Sequence, residues 1–244
     1  MTTLSITCIT TIDHENAARA VDKTSETLIT AGLPLNLTYW ISDKPCPLPV
    51  MCPIMWTHVP VFERHNWMLM YNVHSLANCP VIVQTDYNIV VQSDGFAVNP
   101  DAWTDEFLEY DYIGAIWPWY NSKYKVGNGG FSLRSRKLYD ALQEIKYERA
   151  FTYLDFKAHE CYVEDQSRIP NIDSVLVAED ALICRFYRDV LENDFNIKFC
   201  PDELASRFSI EDDVNSVWMG KSFGFHSKNP IFKKYYGYGF PLTE

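Results

Sequence analysis

Four short groups of residues in this chain could act on one ligand. Gln92-Ser93-Asp94-Gly95 closes the apolar run Ile89-Val90-Val91, so the carboxylate of Asp94 stands at a strand end, beside a glycine that lets backbone come close to a ligand. Such a carboxylate can hold a hard divalent cation, and the cation neutralises a departing diphosphate as a Lewis acid; a plain strand-ending turn explains the same residues. Gly127-Asn128-Gly129-Gly130 can present backbone N–H groups to a sugar or phosphate, although a tight hairpin between Lys125 and Phe131 is the blander use. No Gly-Lys-Ser/Thr follows, so it is not a P-loop, nor is it a dinucleotide fingerprint. Glu179-Asp180 opens a helical pattern with both carboxylates in the first turn, where the helix dipole favours the ionised form. An ionised carboxylate facing a cleft accepts the proton of an attacking hydroxyl; first-turn acids also occur with no such task. His226, in Phe223-Gly224-Phe225-His226-Ser227, could complete the coordination of a cation held by Asp94, and mixed oxygen and nitrogen ligation suits Mn²⁺. An ordinary loop histidine is the alternative.

These groups form a site only if the fold gathers them, and the surrounding patterns predict how. Leu4 to Ile9 reads as a strand, and Asp13 as the N-cap of a helix with Ala17, Val21, Thr24 and Leu28 on one face. Gly32-Leu33-Pro34 ends that helix, and Leu37, Tyr39 and Ile41 alternate as a second strand. A loop from Pro45 to Pro53 precedes a strand around Met55 to Val59. Asn66 to Asn78 has helical spacing, with His74 expected as a core histidine. Val81-Ile82-Val83 and Ile89-Val90-Val91 read as buried strands. Asn99-Pro100 opens a helix carrying Trp103, Phe107 and Tyr110, and Tyr112 to Ile116 is a further strand. Leu138, Ala141, Leu142 and Ile145 mark one more helix; Leu182, Ile183, Phe186 and Val190 mark another, beginning near Glu179. Alternating elements predict an α/β domain with a mostly parallel central sheet flanked by helices. In such sheets ligands bind beyond the carboxyl ends of the strands, where Asp94 stands.

The 244 residues, 47% of them hydrophobic, suffice for one domain. We expect it to span residues 1–228, with 229–244 as an aromatic and basic tail that includes Lys233-Lys234-Tyr235-Tyr236. A formal charge of −11 argues against a surface that tracks phosphate backbones. The densest basic cluster, Lys123, Lys125, Arg134, Arg136 and Lys137, flanks the glycine turn and reads either as a solvated loop and helix start or as a phosphate contact. Seven cysteines in no paired spacing fit reduced thiols, with no structural zinc. The N-terminus lacks the pattern of a secretory signal, and no segment approaches the roughly 18 apolar residues of a membrane span. A cytoplasmic protein is expected. Trp117, Trp119 and Tyr120, next to the glycine turn, could stack on a sugar or a base, or cover the end of the sheet.

Taken in order, Val91 to Phe96, Asn99-Pro100, Trp103, Phe107 to Ala115, Gly127 to Arg134, Glu179-Asp180 with Ile183-Cys184, Ala205 to Ser209 and Phe223 to His226 resemble a largely uncharacterised family of bacterial and viral glycosyltransferase-like proteins of the GT-A type. The resemblance implies a Rossmann-like GT-A domain that moves a sugar from a nucleotide-diphosphate donor, UDP-linked, to a hydroxyl acceptor. It implies dependence on Mn²⁺ or Mg²⁺, with Asp94 in place of the final acid of the Asp-x-Asp metal motif and His226 as a further ligand. Gln92 occupies the first position of that motif and contributes no charge, so metal binding would lean on His226 and the diphosphate. Gln92, Asp94, Gly95, Asn128, Gly129 and Gly130 would line the donor, Thr10 and Thr11 would lie near its base, and Glu179 or Asp180 would be the catalytic base. Trp117, Trp119 and Tyr120 are the acceptor-side candidates. A base on the face opposite the leaving diphosphate gives direct displacement with inversion.

Other functions share parts of this pattern. A sugar nucleotidylyltransferase would carry a glycine-rich, arginine-containing loop after the first strand, whereas Cys8 to Asp13 contains no glycine. A non-catalytic carbohydrate-binding protein would use the aromatics and glycine turns but leave the acid pair idle. A saccharide or glycosylated acceptor suits the acidic balance, and a hydroxylated DNA base would require a positive cleft.

Overall fold

The computed structural model describes residues 2–62, 67–117, 124–145 and 177–237. At its centre lies strand β1 (Leu4–Ile9), every residue of which is buried. It pairs in parallel with β2 (Leu35–Ser42) and, on its other side, with β4 (Tyr87–Val91); β3 (Ile54–His58) adds in parallel outside β2. Beyond β4 lie β7 (Ser132–Ser135), antiparallel to it, and the two-residue β6 (Tyr112–Ile113). The order β3-β2-β1-β4-β7-β6 makes a mixed α/β domain with a mostly parallel central sheet.

Apolar runs in the central strands follow from burial on both faces. Ile6, Trp40, Ile89 and Val91 pack into one core with Ala17, Val21 and Leu28 of helix α1 (His14–Thr30). Tyr39 and Ile41 join the opposite core with Leu138 and Leu142 of helix α4 (Arg136–Glu144) and with Leu182 and Ile183. Asp13 occupies the N-cap position of α1 in a left-handed conformation, φ 51°, but its side chain makes no capping hydrogen bond.

Several expected elements take other forms. Helix α2 (Trp67–Val73) passes through a wide π turn (His74–Asn78) into helix α3 (Cys79–Ile82), so the run Val81-Ile82-Val83 is a helix end rather than a strand. Pro80 sits in the first turn of α3, directly after the π turn, and Val81 is left 61% exposed. His74 is buried and stacked on Phe62, as a core histidine. After Asn99 the chain makes two short 3₁₀ turns, Pro100–Ala102 and Asp105–Glu109, separated where the Thr104 hydroxyl accepts from Glu106 N. The segment opening at Glu179 is a helix, α5 (Glu179–Ala181), widened to a π turn (Leu182–Phe186) before α6 (Arg188–Asn193).

A second, three-stranded sheet builds the site. Its middle strand β9 (Gly224–His226) pairs antiparallel with β5 (Gly95–Ala97) and in parallel with β8 (Ser209–Glu211), which follows helix α7 (Asp202–Phe208). The register sets His226 opposite both Gly95 and Glu211. Helix α8 (Ile231–Tyr236) buttresses that strand: Phe232 is fully buried and Tyr236 stacks on Phe225 at 5.2 Å, while Lys233 and Lys234 face solvent. No helix among the described residues is long and apolar enough to cross a membrane. The six described cysteines are free thiols.

Candidate active site

Asp94 leaves the carboxyl end of β4 in a tight turn closed by reciprocal backbone bonds between Gln92 and Gly95, 2.9 and 3.1 Å. Ser227 N donates to the Asp94 carbonyl at 2.8 Å, tying this turn to the end of β9. His226 is thereby held beside Asp94, its Nε2 3.6 Å from Oδ1. Gln92 donates through Nε2 to Tyr71 Oη at 2.7 Å, which turns its amide oxygen toward His226 Nε2 at 3.3 Å. Glu211 lies on the other edge of the ring, Oε1 3.6 Å from Nδ1.

The glycine turn joins this cluster to the acid pair. A side chain at Gly130 would place its Cβ 2.3 Å from His226 Nε2 and 2.9 Å from Gln92 Oε1; at Gly129 it would meet Glu179 Oε1 at 2.3 Å and the Asp180 Cβ at 2.9 Å. Adjacent glycines therefore let the backbone pass between the histidine and the carboxylates. Asn128 accepts from Gly130 N at 3.0 Å through Oδ1, leaving its amide nitrogen 2.9 Å from His226 Nδ1. Asp180, half-buried, accepts from Gly129 N through Oδ2 at 3.0 Å and from Ala181 N through Oδ1 at 2.7 Å.

The two carboxylates of the pair differ. Glu179 is buried and bonded to the Nη2 of buried Arg134 at 2.9 Å. Arg134 also donates to Ser132 Oγ at 3.1 Å and lies over the Tyr112 ring. Burial, with the neighbouring Glu179 charge, pushes Asp180 up to about 7. Burial raises Asp94 too, but hydrogen bonding to His226, the charge of His226 and that of Lys228 more than offset it and hold the carboxyl below its usual range. Burial of His226 opposes its charge, yet bonding to Asp94 and Glu211 and their charges raise the imidazole to about 10. The ring thus has carboxylates for its cationic state, and the Asn128 amide for Nδ1 once that proton leaves.

Among the described residues no group of three or more His, Cys, Asp or Glu side chains forms a ready metal cage. A cation placed here would draw on Asp94 Oδ1, His226 Nε2 and the amide oxygen of Gln92, which converge within 3.6 Å of the imidazole nitrogen. That donor set would suit a divalent ion only with the His226 proton displaced and with further oxygen ligands supplied from outside these three residues.

Thr10 and Thr11 lie on the same edge, just past β1: Thr10 N donates to Ile41 O, and Thr11 Oγ1 accepts from Phe62 N, both at 3.0 Å. An open cavity of about 420 Å³ is lined by Asp13, His14, Lys44, Pro45 and Leu48, a few residues along the chain from the threonines, which do not themselves line it. Trp117 is not an exposed stacking face: it is buried, packed on Gly127, with the Arg185 guanidinium 4.9 Å from its ring centre. Trp119, Tyr120 and Lys123 lie outside the described residues. Of the described members of the basic cluster, Arg134 pairs with Glu179, Arg136 with Asp140 and Lys137 with Asp111. Glu211 escaped the sequence reading. The segment read as significant stopped at Ser209, and only strand alternation from Ser209 to Glu211 hinted that both face one side.

The chain matches known proteins at two levels, sequence family and fold. The chain belongs to a family described as Protein of unknown function (DUF5672), whose model matches residues 80–226. Its fold is similar to that in the crystal structure of a glycosyltransferase involved in the glycosylation of the major capsid of the virus PBCV-1, with a TM-score of 0.50 and 10% identity over 93% of this chain and 92% of that one. At that identity the likeness is one of fold. No curated protein matches the sequence.

Proposed function

We propose that this chain is a GT-A-type glycosyltransferase that moves a sugar from a UDP-linked donor to a hydroxyl acceptor with inversion. One observation carries the reading: adjacent glycines place Asp180 on one side of a turn and the Asp94–His226 pair on the other, at the carboxyl edge of the sheet. The likeness to a glycosyltransferase fold supports the class.

In this reading Thr10, Thr11 and the cavity lined by Asp13 and Lys44 take the nucleoside, and the diphosphate reaches Asp94, Gln92 and His226. Mn²⁺ or Mg²⁺, when bound by those three residues, supplies Lewis-acid neutralisation of the departing diphosphate. Gly129 and Gly130 let the backbone pass between Asp180 and His226, so that these two side chains flank the donor sugar. Asp180 is the base, since Glu179 is committed to Arg134. It takes the acceptor hydroxyl proton as the new C–O bond forms at the anomeric carbon. The opposite C–O bond breaks, and the diphosphate leaves with the electron pair. A saccharide acceptor is favoured over a DNA base, because the chain carries a formal charge of −11 and Arg134, Arg136 and Lys137 are engaged in internal pairs.

UDP release from a panel of UDP-sugars with Mn²⁺ tests this. Turnover lowered about 10²–10⁴-fold in Asp180→Asn, with donor affinity retained, is expected. Saccharide binding without any turnover would identify a carbohydrate-binding protein instead.

A further inference from the structure

Glu211 leaves one carboxylate oxygen without a partner among the described residues. Its Oε1 faces His226, while Oε2 is buried and meets no hydrogen-bond partner among the described residues. Two positions earlier on the same strand, and so on the same face, Ser209 is 1% exposed and its hydroxyl also lacks a partner. Both residues line a half-open cavity of about 70 Å³, together with Ile116, Ser206, Ile210, Asp213 and Ser216. Buried polar groups in native proteins are satisfied, so two orphans beside one cavity mark a place where a ligand hydroxyl completes them once their side chains turn toward it.

The lining selects the ligand. A carboxylate oxygen only accepts, whereas a serine hydroxyl both donates and accepts. A single hydroxyl can donate to Glu211 and accept from Ser209 at once. An ammonium would leave the serine proton unused, and an anion would face the carboxylates of Glu211 and Asp213. Ile116 adds an apolar wall suited to the C–H face of a sugar ring. The volume is about that of two waters, enough for a hydroxymethyl group or the edge of a ring but not for a whole ring. The imidazole of His226 fixes which substrate this is. Its Nε2 edge faces Gln92 and Asp94, the proposed diphosphate side, and its Nδ1 edge faces Glu211.

The geometry points to an acceptor subsite in which Glu211 Oε2 and Ser209 Oγ bind a hydroxyl group of a neutral saccharide. That the saccharide is the acceptor rests on the transferase reading; its binding in the cavity does not.

Saturation-transfer NMR with a panel of methyl hexopyranosides, in the presence of UDP and Mn²⁺, tests the subsite. At least one glycoside should bind. Ser209→Ala should weaken it about fivefold, the effect of one lost hydrogen bond. Ser216→Phe, which fills the cavity from its rim, should abolish the signal, and calorimetric UDP affinity serves as the folding control for both variants. Absence of any bound glycoside, or binding indifferent to both substitutions, overturns the subsite and leaves the cavity to water. Glycoside binding that follows the variants, without turnover of any UDP-sugar, keeps the subsite and removes the transferase reading.

Discussion

The guanidinium of Arg134 meets the carboxylate of Glu179 at 2.9 Å with both side chains almost wholly removed from water. The pair ties β7, just after the glycine turn, to the first turn of α5, and so fixes where Asp180 stands. Losing one partner leaves a buried charge uncompensated, which costs about 3–5 kcal/mol. Glu179→Ala should lose that much in urea unfolding, and Arg134→Met with Glu179→Leu should recover most of it. Wild-type stability in Glu179→Ala would mean that the pair holds nothing in place.

Asp180 sets the pH response of the proposed reaction. Its carboxyl is raised to about 7 by burial and by Glu179. Below that pH it is protonated and cannot accept a proton; above it the base form prevails. Transfer should therefore rise with pH through about 7 to a plateau. Asp180→Asn should lower kcat by about 10²–10⁴-fold, the usual range for a general base, while UDP affinity holds. A flat profile from pH 5 to 8 in the wild type would exclude this carboxylate as the base.

The glycines offer a paired comparison. Gly129→Ala drives a methyl to within 2.3 Å of Glu179 Oε1, so the carboxylates or the turn must shift. We expect about 1–3 kcal/mol of destabilisation from overpacking and at least a tenfold fall in transfer. Gly32→Ala meets nothing within 4 Å and pays only for its left-handed backbone, φ 77°. It should lose about 1 kcal/mol and keep its activity. Equal activity in the two variants would show that the Gly129 turn does not shape the site.

Local pattern revealed much of the scaffold and little of the site's assembly. Apolar alternation and helix faces marked β1, α1, β2 and β4, because each is dictated by burial of neighbouring residues. Val81-Ile82-Val83 misled for the same reason: β-branched residues suggested a strand, but the preceding helix continues through Pro80. Asp94, the glycine turn, the acid pair and His226 could be singled out by residue type. What no local pattern carried is the pairing across the small sheet, which sets His226 against Gln92, 134 residues away. The same pairing brought in Glu211, and a separate long-range contact committed Glu179 to Arg134. Trp117 was read correctly as a neighbour of the glycine turn, but its packing on Gly127 makes it part of the interior.

Asp94 and His226 carry the proposed metal dependence, and their contributions can be separated. Asp94 supplies the negative charge and His226 its Nε2 once the ion displaces the proton that Asp94 and Glu211 hold on the ring, while the amide oxygen of Gln92 is held in line by Tyr71 at 2.7 Å. In calorimetry, Mn²⁺ should strengthen UDP binding to the wild type, and EDTA should remove that gain. Asp94→Ala should bind UDP with Mn²⁺ no better than with EDTA. Gln92→Leu, which removes only an uncharged donor, should retain part of the gain, weakened about tenfold, as for the loss of an auxiliary group around a metal. His226→Gln should fall between the two. If Asp94→Ala keeps the full Mn²⁺ gain, the ion sits elsewhere and the strand-end carboxylate is a turn residue.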